Sequence, residues 1–398
     1  MTPGARPADR AVATPPNDPP PFGLYVHFPF CKARCHYCAF YFVVGRAEAR
    51  RAYVDAVAAE IARRSADPRF AGRRLHSLYF GGGTPSLLAP DDVARLAEAA
   101  ARAFPFADGV EISLESNPDG LDLARLRGLR AAGVNRLTLG WQSLRAAGLR
   151  ALTRTHTAEE NLEALELARA AGFDNVAVDL IFGRPGQTAA DWRAELSEAA
   201  GRSVDHLSAY ELTFEEGTRL ARRFREGRFV PADDDARCDM FEAVEGALAP
   251  HGLRRYEISN FAREGRECRH NLASWQGGDT LGVGASAASH VANARWTNVA
   301  DLDEYVRRAG VEEDLVERHE SLDEETWAAE DLYLALRTRL GVNVTARLAR
   351  VPEPARGRLA AALALAEAEG LLGRDGARSR LSPKGLLVCD SILQSLLP

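Results

Sequence analysis

Lysine is almost missing from this 398-residue chain: Lys32 and Lys384 are two of its 50 basic residues, and arginine supplies the rest. With alanine abundant, the skew reads as genome composition, so no arginine is taken as functional on residue type alone. Also missing is any apolar run of the roughly 18 residues or more that a membrane-spanning helix needs. No charged and then apolar opening marks a secretory leader. A soluble cytoplasmic protein is the expectation. Basic surplus is lacking too: formal net charge is −6, which repels phosphate backbones and anionic lipid unless a local patch overrides it. Nucleic acid is therefore not an expected partner. Cysteine is sparse, at six in a long chain, which fits a reducing compartment better than a disulfide framework.

What is present can bury a core: 46% of residues are hydrophobic and 27% charged, at a length that suggests two or three domains. Residues 1–21, rich in Pro and Ala without periodicity, read as a disordered lead. From Gly23 a βα rhythm begins. Strands are predicted at 23–28, 75–80, 110–115, 134–140, 175–182 and 205–212. Helices are predicted near 47–65, 90–103, 121–132, 158–171 and 189–201, with Pro90 at one start and Gly133 and Gly172 past two ends. Such a repeat implies a parallel sheet with right-handed crossovers, that is, an α/β fold. After residue 213 the rhythm weakens. A helix near 233–249 and loop-rich stretches at 268–275 and 282–290 read as an extension packed on the barrel. From about Ser321, two helices, a β-turn-β with an Asp375-Gly376 turn and a final helix suggest a winged-helix-like unit. The predicted organisation is thus 22–215, 216–320 and 321–398.

Unusual residues fall where five of the six strands end: a cysteine triplet, then GGGTP at 81–85, then Glu115 and Asn117, Gln142 and Asp179. In parallel α/β folds ligands bind at the carboxyl ends of strands, so these residues can share one site. The triplet Cys31-x3-Cys35-x2-Cys38 offers three thiolates in one loop, enough for three irons of a [4Fe–4S] cube with the fourth iron left open. A tetrahedral zinc site would need another ligand, and His36, between two of the cysteines, would strain to reach it. Cys238 and Cys389 lie on helical patterns and read as small buried hydrophobes. Cys268 and His270 are two ligands and not a metal site. The wing arginines Arg374, Arg378 and Arg380 could touch phosphate, but the many acids beside them argue against DNA.

YVHFPFCKARCHYCAF followed by GGGTP resembles the radical S-adenosylmethionine (SAM) proteins. NPD, NRLTLGWQS, LTRTH, DLIFGRPGQT and HNLASW, in that order, narrow the resemblance to the oxygen-independent coproporphyrinogen III oxidase family. The likeness covers about residues 23–398. It implies a partial (β/α)6 TIM-type barrel, a [4Fe–4S] cluster on Cys31, Cys35 and Cys38, and SAM bound by Tyr25, Gly82, Gly83, Thr84, Glu115, Gln142, Arg154 and Asp179. In such proteins one-electron reduction of the cluster splits a carbon–sulfur bond of SAM.

The oxidase branch carries a further cysteine two residues after the third, where this chain has Phe40. Phe40 and the HNxxYW-like segment resemble the HemW branch, heme chaperones that deliver heme to hemoproteins. His270 becomes a heme-ligand candidate, although Ser274 occupies the tyrosine position. Heme and an acceptor hemoprotein are the partners this resemblance implies, and a homodimer is left open. The competing expectations are an oxidative decarboxylase of coproporphyrinogen III, and a scaffold whose three cysteines hold zinc.

Overall fold

The computed structural model describes residues 20–397. Most of the lead expected over 1–21 lies outside the described residues. Its last two members belong to the fold, because the carbonyl of Pro20 accepts from Arg73 and that of Pro21 from the Asp279 amide.

The six expected strands form as β1 (Phe22–Phe28), β2 (Leu75–Gly82), β3 (Phe106–Ser116), β4 (Arg136–Gln142), β5 (Val176–Phe182) and β6 (His206–Glu211). Each pairs parallel with the next, as helical crossovers require. Burial is nearly unbroken in β1 and β5: in β5, VAVDLIF, only Asp179 is partly exposed. Strands covered on both faces read as continuous apolar runs, which is why the pattern shows them so clearly.

Local chemistry sets the crossover boundaries. Pro90 opens the helix Pro90–Ala103 with Asp91 and Asp92 in its first turn; proline there gives up only an unpaired N–H, and the acids face the positive end of the helix dipole. Thr157 with Glu160 and Thr188 with Asp191 form reciprocal caps for Ala158–Ala170 and Ala189–Gly201. Gly133 and Gly172 close two helices at φ 98° and 90°, a region that residues with a Cβ avoid.

Beyond residue 213 the chain is more regular than its pattern suggests. The expected extension is continuous with the barrel sheet and does not pack on it from outside. β7 (Arg254–Arg255) and β8 (Asn260–Ala262) continue antiparallel from β6, and β9 (Asp279–Val283) lies parallel to β1. β10 (Ala288–Val291), β11 (Ala294–Asn298) and β12 (Val316–Ser321) follow antiparallel. One 12-stranded sheet results, in the order β12-β11-β10-β9-β1-β2-β3-β4-β5-β6-β8-β7. It covers the two edges that six parallel strands would leave unpaired. The segments read as loop-rich are the helix Arg269–Trp275 and the β9–β10 return. Small residues conceal that return: a Cβ on Gly282 would stand 2.2 Å from the Ala288 carbonyl oxygen, so close backbone approach replaces side-chain patterning.

The carboxyl-terminal unit has its own apolar core, including Leu332, Leu336, Leu359 and Leu363. Helices Glu324–Leu336, Val344–Leu348 and Ala355–Ala368 precede the hairpin Leu372–Asp375 and Arg378–Leu381, and Val342 makes an isolated antiparallel bridge to Ser379. The expected final helix is two, Pro383–Leu387 and Cys389–Leu396. Arg378 and Arg380 donate to the carbonyls of Leu340, Gly341 and Arg339, and Arg374 pairs with Glu367. These arginines hold the wing to its own unit. Of the two cysteines expected to be buried, Cys238 is exposed and Cys389 half-buried, whereas Cys268 is fully buried. The helix Asp234–Leu248 buries Met240, Val244 and Leu248, and position 238 falls off that stripe.

Candidate functional site

The parallel strands all point one way, so the residues that follow them gather at one end. There they line a cavity of about 760 Å³. Cys31, Cys35 and Cys38 stand on one side. Gly82, Gly83, Thr84, Glu115, Gln142, Arg154 and Asp179 complete the wall. Ten of the twelve residues named from sequence are thereby brought together; Tyr25 and His270 are not.

The cysteine loop leaves β1 and is pinched at its base, where Phe30–Cys31 pair with Val43–Val44. The His36 amide donates to Thr153 Oγ1 at 3.0 Å, and Lys32 pairs with Asp119 at 2.9 Å. Two cavity residues address the sulfurs directly: Thr84 Oγ1 donates to Cys31 Sγ at 3.6 Å and Arg154 Nη1 to Cys35 Sγ at 3.3 Å. Burial pushes the Cys31 thiol up to about 11 and the Cys38 thiol upward as well. Unaided, the loop disfavours thiolates, and a cationic metal group would supply the missing positive charge. A cube takes one sulfur per iron, so three cysteines on one side of the cavity can hold three irons, whereas a tetrahedral zinc would need a fourth ligand. Burial, followed by the guanidinium groups of Arg219, Arg223, Arg34 and Arg222, holds the His36 imidazole below its usual range.

The glycines of GGGTP are dictated by the neighbouring chain as well as by the cavity. A Cβ on Gly82, which has φ 109°, would stand 2.6 Å from the His27 ring, and one on Gly83 would stand 2.7 Å from the Pro29 carbonyl. Only glycine lets β2 run against the start of the cysteine loop and still present its peptide groups to the cavity.

Glu115 accepts from Tyr79 Oη at 2.8 Å and from the Gly82 amide at 3.3 Å. Burial outweighs both and, with Asp179 nearby, pushes its carboxyl up to about 7. Burial likewise pushes Asp179 up to about 6 against a hydrogen bond from Ser208. A carboxyl raised on folding binds protons more tightly in the native state, so stability falls as pH rises from the unfolded value through the folded one. We expect the ligand-free protein to lose stability between about pH 4.5 and 7 on account of Glu115. In Glu115→Gln this part of the slope should vanish. Urea titrations at a series of pH values check it, and an unchanged slope in the variant refutes it.

Arg154 is anchored by Asn117 Oδ1 at 2.6 Å from Nη2, while its buried Nε has no partner. The guanidinium thereby brings positive charge to the cavity wall, which suits an anionic group. Gln142 takes φ 61°, a conformation that costs a non-glycine residue about 1–2 kcal/mol, and faces the cavity. Strain of this kind persists where surrounding structure holds it.

Tyr25, partly exposed, is next to the cavity and outside its lining, with its ring stacked on Tyr79, the donor to Glu115. Its Oη is 3.1 Å from His27 Nδ1, and His27 Nε2 is 3.0 Å from the Tyr41 carbonyl oxygen, so this pair braces the cysteine loop from beneath. His270 lies deeper, at the amino-terminal side of β2. Its ring stacks on Tyr79 with centroids 5.1 Å apart, and Nδ1 is 2.9 Å from Ser77 Oγ. The amides of Arg269 and His270 donate to Glu111 at 3.1 and 3.3 Å. Burial pushes the imidazole down to about 4. Trp275, at the other end of the same helix, lies 4.5 Å beneath the Arg337 guanidinium of the carboxyl-terminal unit. HNLASW therefore clasps the barrel floor to that unit, and the geometry separates His270 from the cavity. Ser274 closes the helix by donating to the His270 carbonyl at 3.2 Å.

Sequence reasoning missed Tyr210, Glu211 and Ser259, which also line the cavity. Tyr210 and Glu211 end β6 just as Glu115 nearly ends β3, so the strand-end rule could have found them. Ser259 sits in the β7–β8 connection and carried no signal.

Comparison with known proteins adds a family. Residues 25–199 match the Radical SAM superfamily and residues 322–388 the HemN C-terminal domain. A heme chaperone HemW of Mycobacterium tuberculosis is 36% identical over 381 residues, covering 95% of this chain and 95% of its own. The mitochondrial radical S-adenosyl methionine domain-containing protein 1 of Bos taurus is 35% identical, covering 98% of this chain and 91% of its own. The solved structure of coproporphyrinogen III oxidase (HemN) from Escherichia coli superposes with a TM-score of 0.80 at 26% identity, over 95% of this chain and 90% of that one. With its expected barrel and carboxyl-terminal unit in place and relatives alike over nearly their full length, the chain belongs to the radical SAM HemN family, close to HemW.

Proposed function

We propose that the protein is a cytoplasmic heme chaperone that carries a [4Fe–4S] cluster and SAM and transfers heme to acceptor hemoproteins. Phe40 carries the reading. It stands where the oxidase pattern places a further cysteine, and its ring is 70% exposed at the cavity rim. Exposed aromatic surface beside a cavity suits the flat face of a porphyrin. The nearly full-length likeness to proteins named heme chaperones supports the same reading. Among the described residues no helix is long and apolar enough to cross a membrane.

Cys31, Cys35 and Cys38 would hold three irons of the cluster, which when bound and reduced supplies the electron for cleaving a carbon–sulfur bond of SAM. Around it the chain positions and neutralises. The Arg154 guanidinium would hold the SAM carboxylate, and the peptide groups at Gly82 and Gly83 would hold its amino group. Thr84 keeps the Cys31 sulfur in place. Glu115 and Asp179 would accept from ribose hydroxyls, with Gln142 beside them in the cavity wall. Because Glu115 titrates near neutral pH, an incoming cation can draw off its proton and leave the carboxylate that the Tyr79 hydroxyl already faces. Heme would sit at the rim beside Phe40, and the packing of His270 against Tyr79 and Ser77 supports a structural role for that histidine in preference to axial ligation.

Anaerobically reconstituted protein titrated with hemin should show a Soret shift and near-stoichiometric saturation. His270→Ala should bind hemin as tightly but unfold more easily, whereas Phe40→Ser should bind it more weakly. Absence of a Soret shift refutes the chaperone reading. Protoporphyrinogen formed from coproporphyrinogen III with reductant and SAM would replace it by the decarboxylase.

A further inference from the structure

A cluster that works by accepting one electron needs a place for the donor to touch the protein, and the segment after β6 builds a surface suited to that. Residues 219–228 carry five arginines, Arg219, Arg222, Arg223, Arg225 and Arg228, in a chain whose net charge is −6. Arg228 has Glu226 as an ion-pair partner. Among the described residues the other four make neither an ion pair nor a side-chain hydrogen bond, and three of them are exposed. That is unusual in this molecule, where most arginines are spent on carboxylates or carbonyls.

The same segment is fastened to the cysteine loop. The Leu220 amide donates to the His36 carbonyl at 2.8 Å, and Leu220 and Phe229 belong to an apolar cluster on which Tyr37 and Phe214 pack. His36 and Tyr37 are the two residues between Cys35 and Cys38. On the outer side Phe224, 44% exposed, and Val230, 69% exposed, stand among the guanidinium groups. Aromatic and arginine side chains together make the composition that protein interfaces favour. Arg34, exposed on the cysteine loop itself, lies beside the ring of Phe42 and extends the positive charge across the loop.

We propose that this arginine surface docks an acidic one-electron donor protein, which passes its electron through the Cys35–Cys38 stretch to the cluster. The donor is oxidised by one electron and the cluster reduced by one, with no bond made or broken between the two proteins. The inference rests on the cluster reading above. A protein partner is favoured over a porphyrin because the arginines span ten residues outside the cavity, whose own wall carries carboxylates.

The test uses full-length reconstituted protein and the triple variant Arg219→Glu, Arg222→Glu, Arg225→Glu, with reduced flavodoxin of net negative charge as the probe. Stopped-flow bleaching of the cluster should be about tenfold to a hundredfold slower in the variant at low salt, the two proteins converging as salt is raised. Photoreduction by a small deazaflavin should be equally fast in both, and the complex of flavodoxin with the cluster-free protein should weaken in parallel. Equal flavodoxin rates in wild type and variant overturn the proposal, as does a variant whose only loss is hemin affinity. Failure of both proteins to assemble a cluster would instead sink the cluster reading, while the cluster-free binding experiment would still decide the docking surface.

Discussion

Cys35→Ser is expected to fold normally and to lose its iron. The Cys35 side chain is only half-buried, and its one polar contact is the Arg154 Nη1 donor at 3.3 Å, which a serine oxygen can also accept. Stability of the cluster-free protein should therefore change by less than about 1 kcal/mol. The hydroxyl does not replace a thiolate as a ligand to iron, and three sulfurs are already the fewest that leave a single open iron. After identical anaerobic reconstitution, iron, acid-labile sulfide and the broad visible absorbance should fall nearly to background. A variant that keeps wild-type iron and sulfide would remove Cys35 from the ligand set. Zinc at full occupancy in the wild type would remove the cluster altogether.

The second large effect concerns stability and lies outside the cavity. Glu195, 1% exposed, accepts from Arg184 Nη2 at 2.5 Å, from Ser143 Oγ at 2.5 Å and from the Leu144 amide at 2.6 Å. Arg184 is itself 4% exposed. Removing one partner strands a charge in a place water does not reach, which costs about 3–5 kcal/mol. Glu195→Ala should fall in that range. Gly148→Ala should be at least as damaging, because its Cβ would stand 1.5 Å from Arg184 Nη1. Chemical denaturation midpoints measure both, and a loss under about 1 kcal/mol for Glu195→Ala would contradict the buried network. The motif DLIFGRPGQT thus carries two kinds of information: Asp179 faces the cavity, while Arg184 locks the β4 and β5 ends to the helix Ala189–Gly201.

These particulars show what a sequence of this kind reveals. Strands β1 to β6 were legible because both faces are covered and the apolar runs are continuous. Their polar ends were legible because a parallel sheet sends them all to one place. The β9–β10 return was not, since GVGASAAS pairs through backbone approach and offers little side-chain pattern. The surroundings of His270 were hidden for a different reason. A histidine in a distinctive motif resembles a ligand, but Glu111, Ser77 and Tyr79, which lie far away in sequence, surround it with hydrogen bonds and a stacked ring. Nothing local to HNLASW announces those neighbours. Phe40 could be read from sequence because the signal was a missing cysteine in a fixed spacing, and position alone carries that.

The pairing of β1 with β9 also has a consequence in time. Leu24 lies between Leu78 and Leu281 in the sheet, so one neighbour of the first strand is made soon after it and the other about 250 residues later. At a synthesis rate of about 5–20 residues per second, the open side of β1 waits on the order of ten to fifty seconds on the ribosome. The cysteine loop that follows β1 spends the same interval attached to an unfinished barrel. Birth of this protein thus includes a period when its sulfurs are present and its final wall is not, during which a cellular factor that shields an unpaired strand or loads iron would find its substrate.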